Sequence, residues 1–165
     1  SAGGHLALLA ALTTGNEALE GTVGTNATIS SQVQAVVSFY GASDLTTILA
    51  QSTPHGLSVR VPALELLYGG SAETKPELAR LASPVFHLDP KDPPILLYHG
   101  DQDNQMPHAQ SVGLHAACQA ASIPCEFHSV PGGEHGGKDF FGAEMLDEVH
   151  RFLQSKLVVT TEPSR

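Results

Sequence analysis

The run Val33-Gln34-Ala35-Val36-Val37-Ser38-Phe39-Tyr40 constrains the fold of this chain more than any other stretch. It is β-branched and aromatic, and it stops at Gly41. A run of this kind reads as a strand buried on both faces, as in a parallel sheet covered by helices. Two further strands are expected, at Ile95-Leu96-Leu97-Tyr98, which ends in His99-Gly100, and at Cys125 to Val130. Helical patterns fill the intervals. Leu6-Ala7-Leu8-Leu9-Ala10-Ala11-Leu12 reads as a buried helix fed by a tight turn, and Leu45 to Gln51 as a short helix capped by Ser43 or Asp44. Pro62 to Tyr68 and Pro76 to Leu81 follow, the first closed by Gly69-Gly70. Pro107 to Ala121 starts with a proline and keeps Leu114, Ala117, Cys118 and Ala121 on one face. Lys138 to Leu157 turns Met145, Val149, Phe152 and Leu153 inward, while Thr13 to Ser31 reads as a surface loop and Thr160 to Arg165 as a frayed polar tail.

Strands alternating with helices specify an α/β chain with parallel strands and right-handed crossovers. Residues 52–90, broken by Pro54, Pro84, Pro90 and Pro93-Pro94, fit two descriptions. They read as a cap of short helices over a pocket, or as the crossover that any parallel sheet needs.

With 165 residues the chain is long enough for one domain with a core, and its 41% hydrophobic and 15% charged residues suit a globular protein. A net charge of −9 and the lack of any Lys/Arg cluster argue against nucleic acid as a partner. No stretch reaches the ~20 apolar residues of a membrane helix. Cys118 and Cys125 are too few for a disulfide scaffold and read as buried thiols in preference to one local bridge. His55, His87, His108, His115, His128 and His150 are scattered without metal-ligand spacing, so neither a metal nor a cofactor is expected.

In parallel sheets, function collects beyond the carboxyl ends of the strands. Ser1-Ala2-Gly3-Gly4-His5 has the second half of the G-x-S-x-G nucleophile elbow, in which a serine is held on a strand-to-helix turn. The same serine is equally an ordinary helix N-cap. Asp101 and Asp103 lie just past the second strand, and His135 lies just past the third in a glycine-rich loop that would present an imidazole freely. A serine hydroxyl is a weak nucleophile until a base takes its proton. A histidine does this near neutral pH, and a carboxylate fixes its tautomer and stabilises the imidazolium. The developing oxyanion needs backbone N–H donors, of which Ala2 offers one.

The motifs Ser-Ala-Gly-Gly-His-Leu-Ala, Val36 to Leu45, Ala82-Ser83-Pro84, Pro93 to Pro107 and Val130 to Gly136 resemble those of the α/β-hydrolase esterases. The nearest group is the carboxylesterases related to bacterial feruloyl and acetylxylan esterases. This resemblance implies a Ser1–Asp103–His135 triad, an acyl-enzyme on Ser1 and hydrolysis of small to medium acyl esters, with acetyl or aromatic acyl groups on plant polysaccharides suggested. It selects Asp103 over Asp101, and it implies structural roles for His5, Asp44 and His99. Glu134 departs from the family, which often has a small residue there.

On this resemblance the chain reads as the C-terminal portion of one hydrolase domain. The opening strands, the loop supplying a second oxyanion donor and any targeting segment would then lie outside it, which leaves localisation open. Oligomeric state is likewise open. Three alternatives accompany the esterase reading: a serine peptidase of the prolyl-oligopeptidase type, against which Ala2 argues; Ser1 as an N-terminal nucleophile with its own amine as base, against which the helical pattern after it argues; and a truncated, catalytically inactive hydrolase-like domain.

Overall fold

Three strands, β1 (Val36–Phe39), β2 (Ile95–Gly100) and β3 (Cys125–Val130), pair side by side in that order, all parallel. The computed structural model describes residues 1–26 and 28–157. In register, Val36 lies beside Ile95 and Phe39 beside Tyr98, while Ile95 lies beside Cys125 and Gly100 beside Val130. The central strand is buried at every residue, as a strand with apolar residues on both faces must be.

Alternation along β2 builds a separate core on each face. Ile95 and Leu97 pack with Leu8, Ala11 and Leu12 of helix α1 (Ala2–Leu12) and with Leu114 and Cys118 of α6 (Ala109–Ala120). Leu96 and Tyr98 turn the other way, onto Phe140 and onto Phe152 of α7 (Ala143–Lys156). The expected α/β layering of a parallel sheet with flanking helices is therefore present. Met145, Val149 and Leu153 pack against this second core from its edge.

Several element boundaries differ from the sequence reading. β1 begins three residues later than expected and ends before Tyr40, whose φ of 43° takes the chain out of extended geometry. α1 starts directly at Ala2, and only one of its faces is buried, with Leu6 exposed. The stretch read as a loop from Thr13 holds one helical turn, α2 (Glu17–Glu20), capped by Asn16 through the Ala18 N–H. α3 (Ile48–Gln51) is capped at Thr47, not at Ser43 or Asp44. Asp44 instead accepts from Thr46 N–H, Thr46 Oγ1 and Thr47 Oγ1, and so ties down the loop after β1. The last helix is split: a 3₁₀ turn at Lys138–Phe140 precedes α7, and Gly142 caps it.

The largest difference lies in residues 52–90. α4 runs from Pro54 to Tyr68, with Pro62 inside it. Pro54 occupies its first turn, where a missing N–H costs nothing, and Thr53 caps it by accepting from the Gly56 N–H. Pro62 sits on an exposed face, where water can serve the carbonyl its ring leaves unpaired. With α5 (Pro76–Leu81) this segment supplies Leu64, Tyr68 and Ala79 to a third cluster, with Ala42, Leu45, Ile48 and Met106. It contributes to the core, contrary to its irregular appearance in the sequence.

The tail at Thr160 to Arg165 lies outside the described residues. Cys118 and Cys125 are both free thiols, Cys118 fully buried.

Candidate active site

All three strands deliver their carboxyl ends to one region. At the end of β1 the chain passes so close to α1 that two glycines are required. A Cβ on Gly4 would lie 2.7 Å from Ser38 Oγ and 2.9 Å from the Phe39 carbonyl oxygen; one on Gly41 would lie 2.8 Å from the His5 nitrogen. It is Gly4, not Gly3, whose missing side chain permits this approach, since nothing stands near Gly3. His5 Nε2 then reaches the Ala82 carbonyl oxygen at 2.7 Å and ties α1 to the end of α5.

This packing fixes Ser1 at the N-terminus of α1. Its carbonyl accepts from His5 N–H, but its side chain makes no capping hydrogen bond. The hydroxyl is therefore not used as a cap. It lines a cavity of about 240 Å³ shared with Leu45, Leu64, Leu67 and Met106. The Ala2 N–H belongs to the first turn of the helix, where amides lack intrahelical partners and the helix dipole favours negative charge.

Past β2, Asp103 is held from several sides. Its Oδ1 accepts from Gln105 N–H at 2.9 Å and Met106 N–H at 2.8 Å, and its Oδ2 lies 2.7 Å from His135 Nδ1. His99, fully buried, brings Nε2 to 3.0 Å from the Met106 carbonyl oxygen and 3.3 Å from the same Oδ2, while its Nδ1 meets Ser111 Oγ at 2.7 Å. Burial opposes ionisation of Asp103. The hydrogen bonds from His135, His99 and Met106 outweigh it and hold the carboxyl well below the usual carboxylate range. Asp101, two residues earlier, is exposed and accepts from Gly132 N–H at 2.8 Å. The two carboxylates thus have different partners, one on the imidazole and the other on the backbone of the histidine loop.

That loop is anchored, not free as its glycines suggested. Gly100 and Gly133 meet backbone to backbone: a Cβ on Gly100 would lie 2.1 Å from the Gly133 carbonyl oxygen. Gln102 N–H donates to that same oxygen at 3.0 Å, and Asp101 N–H to the Val130 oxygen at 3.1 Å. Tyr40 adds a lateral wall, its ring centroid 4.7 Å from that of His135 and 4.9 Å from that of Phe140. A tyrosine at positive φ is uncommon, and this one is kept there by packing on both sides and by its N–H bond to the Tyr98 oxygen at 2.7 Å. Glu134 is exposed.

Three contributors were not anticipated from the sequence: the reach of His99 to Asp103, the Tyr40 wall, and Arg60 of α4 at the Ser1 cavity. Only Tyr40 carried a local signal, standing between a strand and a glycine. Among the described residues no group of three or more His, Cys, Asp or Glu side chains is arranged to hold a metal ion, and no helix is long and apolar enough to cross a membrane.

The arrangement resembles known proteins in both sequence and shape. Residues 1–118 match the model of the BD-FAE family. Esterase LipQ of Mycobacterium tuberculosis is 32% identical over 137 residues, covering 82% of this chain and 31% of that protein. The chain therefore spans about a third of that relative's length. Among solved structures, a truncated form of a carbohydrate esterase from gut microbiota is 33% identical with a TM-score of 0.82, over 94% of this chain and 57% of that one. A thermophilic esterase from Thermogutta terrifontis shares the fold, with a TM-score of 0.69 at 24% identity over 98% of this chain and 55% of that one. With the family model spanning well over half of its residues and a parallel α/β sheet beneath the site, the chain belongs to the BD-FAE family of α/β-hydrolase esterases and carries part of that fold.

Proposed function

We propose that the chain carries the nucleophile, acid and base of a serine hydrolase that cleaves carboxylic esters of small to medium acyl groups. The observation that supports this best is the 2.7 Å contact between His135 Nδ1 and a buried, ionised Asp103; the Ser1 hydroxyl, for its part, caps no helix. With Nδ1 committed to the carboxylate, Nε2 is the imidazole nitrogen left to act as base.

In this mechanism Ser1 Oγ attacks the ester carbonyl while His135 Nε2 takes the hydroxyl proton. The negative charge formed on the carbonyl oxygen is met by the Ala2 N–H and the α1 dipole. Collapse of the tetrahedral species breaks the bond to the alcohol, which leaves with the proton from His135. Water then attacks the acyl-serine with His135 again as base, releasing the acid and restoring Ser1. The named esterase relatives support ester over peptide substrates, and the carbohydrate esterase among them supports an acyl group borne on a saccharide. We assign α4 the role of a cap, since Ala63, Leu64 and Leu67 form one wall of the Ser1 cavity.

The test is a mutant cycle on p-nitrophenyl acetate hydrolysis. Ser1→Ala is expected to lower kcat by several orders of magnitude, and His135→Ala added to it to cost little more, because the two groups act as one unit. A double variant far worse than Ser1→Ala would refute the shared role. Turnover unaffected by Ser1→Ala would refute the serine mechanism.

A further inference from the structure

α4 brings one cation to the cavity beside Ser1. Among the described residues lining it, Arg60 is the sole Lys, Arg, Asp or Glu; most of the others, such as Leu45, Leu64, Leu67 and Met106, are apolar. Among the described residues no carboxylate lies within ion-pair distance of this guanidinium. Its Nη2 donates to the Gln105 carbonyl oxygen at 3.0 Å, while its Nε is buried with no partner. A guanidinium has five N–H donors in a fixed fork, so most of its capacity remains unused by the protein.

We propose that Arg60 is an anion subsite of the Ser1 cavity, and that the ester taken there carries a carboxylate a short apolar spacer away from the reacting carbonyl. This rests on Ser1 being the nucleophile. An arginine serving only to anchor the Gln105 loop would be redundant. Thr53 Oγ1 already donates to the neighbouring Asn104 oxygen at 2.6 Å, and Gly56 packs directly under both carbonyls. The terminal Nη1–Nη2 edge, where the protein uses a single N–H, is where a substrate carboxylate would bind, because two carboxylate oxygens match two parallel N–H bonds of the fork. The chain's net charge of −9 repels anions in general, so a local cation is needed to hold one here. The volume of about 240 Å³ lies below the ~300–1,000 Å³ of drug-sized sites, which suits a short diacid monoester.

Two esters of equal length separate the possibilities: monomethyl succinate, and methyl 4-methylpentanoate, in which an isopropyl group replaces the carboxylate. The expected wild-type preference in kcat/KM is tenfold or more for the monoester. Arg60→Gln is expected to collapse that ratio toward one, and Arg60→Lys, which keeps the charge and loses the fork, to leave an intermediate value. A wild-type enzyme without the preference, or Arg60→Gln lowering both esters by the same factor, would overturn the subsite and leave Arg60 a structural residue. A second readout does not depend on turnover. In the Ser1→Ala protein, monomethyl succinate should shift the Arg60 Nε–H resonance and the neutral ester should not. Absence of that shift overturns the subsite even if esters are cleaved. A shift in a protein that cleaves no ester overturns the serine-hydrolase reading and leaves the anion site standing.

Discussion

Gly100→Ala is the substitution by which the structure can be tested most sharply, because it adds one methyl group between the loops that carry Asp103 and His135. The new Cβ would stand 2.1 Å from the Gly133 oxygen, 2.4 Å from the Gly133 carbonyl carbon and 2.7 Å from the Glu134 oxygen. All three are backbone atoms, so no side chain can swing aside. Ordinary contact begins at 3.4 Å, and the histidine loop must retreat by about 1.3 Å to reach it. Carried through to His135, that movement would stretch its 2.7 Å contact with Asp103 to about 4 Å, outside hydrogen-bond range. Overpacking of this kind costs about 1–3 kcal/mol of stability. A misplacement of about 1 Å in a catalytic group costs on the order of 10² in rate. Denaturant melts give the first quantity and kcat on p-nitrophenyl acetate the second, and the hydrogen-bonded Nδ1 proton of His135 gives a direct view by NMR. A Gly100→Ala protein with wild-type stability, an unchanged Nδ1 proton and wild-type kcat would refute the reasoning.

The two neighbouring carboxylates should respond differently. Asp103→Asn is expected to lower kcat by about 10⁴ by spoiling the histidine tautomer, whereas Asp101→Asn, which only weakens the bond from Gly132 N–H, keeps most of the activity. Because the Asp103 carboxyl is held below its ordinary range in the folded protein, its ionisation stabilises the fold above the unfolded value of ~3.9. That contribution is lost as pH falls toward the folded value, so the stability gap between wild type and Asp103→Asn should narrow in melts below about pH 4. Tyr40→Leu removes the ring beside His135 and should lower kcat about tenfold with KM little changed, with Tyr40→Phe restoring it; a change confined to KM would contradict a positioning role.

The sheet was legible first through its central strand, which carries a continuous apolar run. Ile95 to Tyr98 is apolar at four successive positions, and only a strand covered on both faces uses all four, as β2 does. The Asp103–His135 pair was legible for a related reason, since each residue follows a strand end where a parallel sheet gathers its loops. Proline was the main source of misreading. Pro54 and Pro62 suggested a loop and then a short helix, yet one opens α4 and the other is tolerated on its exposed side. The contact of His99 with Asp103 spans four residues, from β2 into the irregular loop after it, whereas those of Tyr40 and Arg60 lie between residues far apart in the chain, Tyr40 with His135 and Arg60 with Gln105. No local pattern encodes such pairs, and they emerge only when the strand ends are brought together.

The central claim is that Ser1 forms a covalent acyl-enzyme with His135 as its base. Incubation with diisopropyl fluorophosphate, followed by mass spectrometry of the digested protein, tests it directly, because only an activated serine displaces the fluoride at useful rates. One phosphoryl group per chain is expected on the peptide containing Ser1, with labelling strongly slowed in His135→Ala. Labelling of another residue, no labelling at all, or labelling of Ser1 at the same rate in His135→Ala would contradict it.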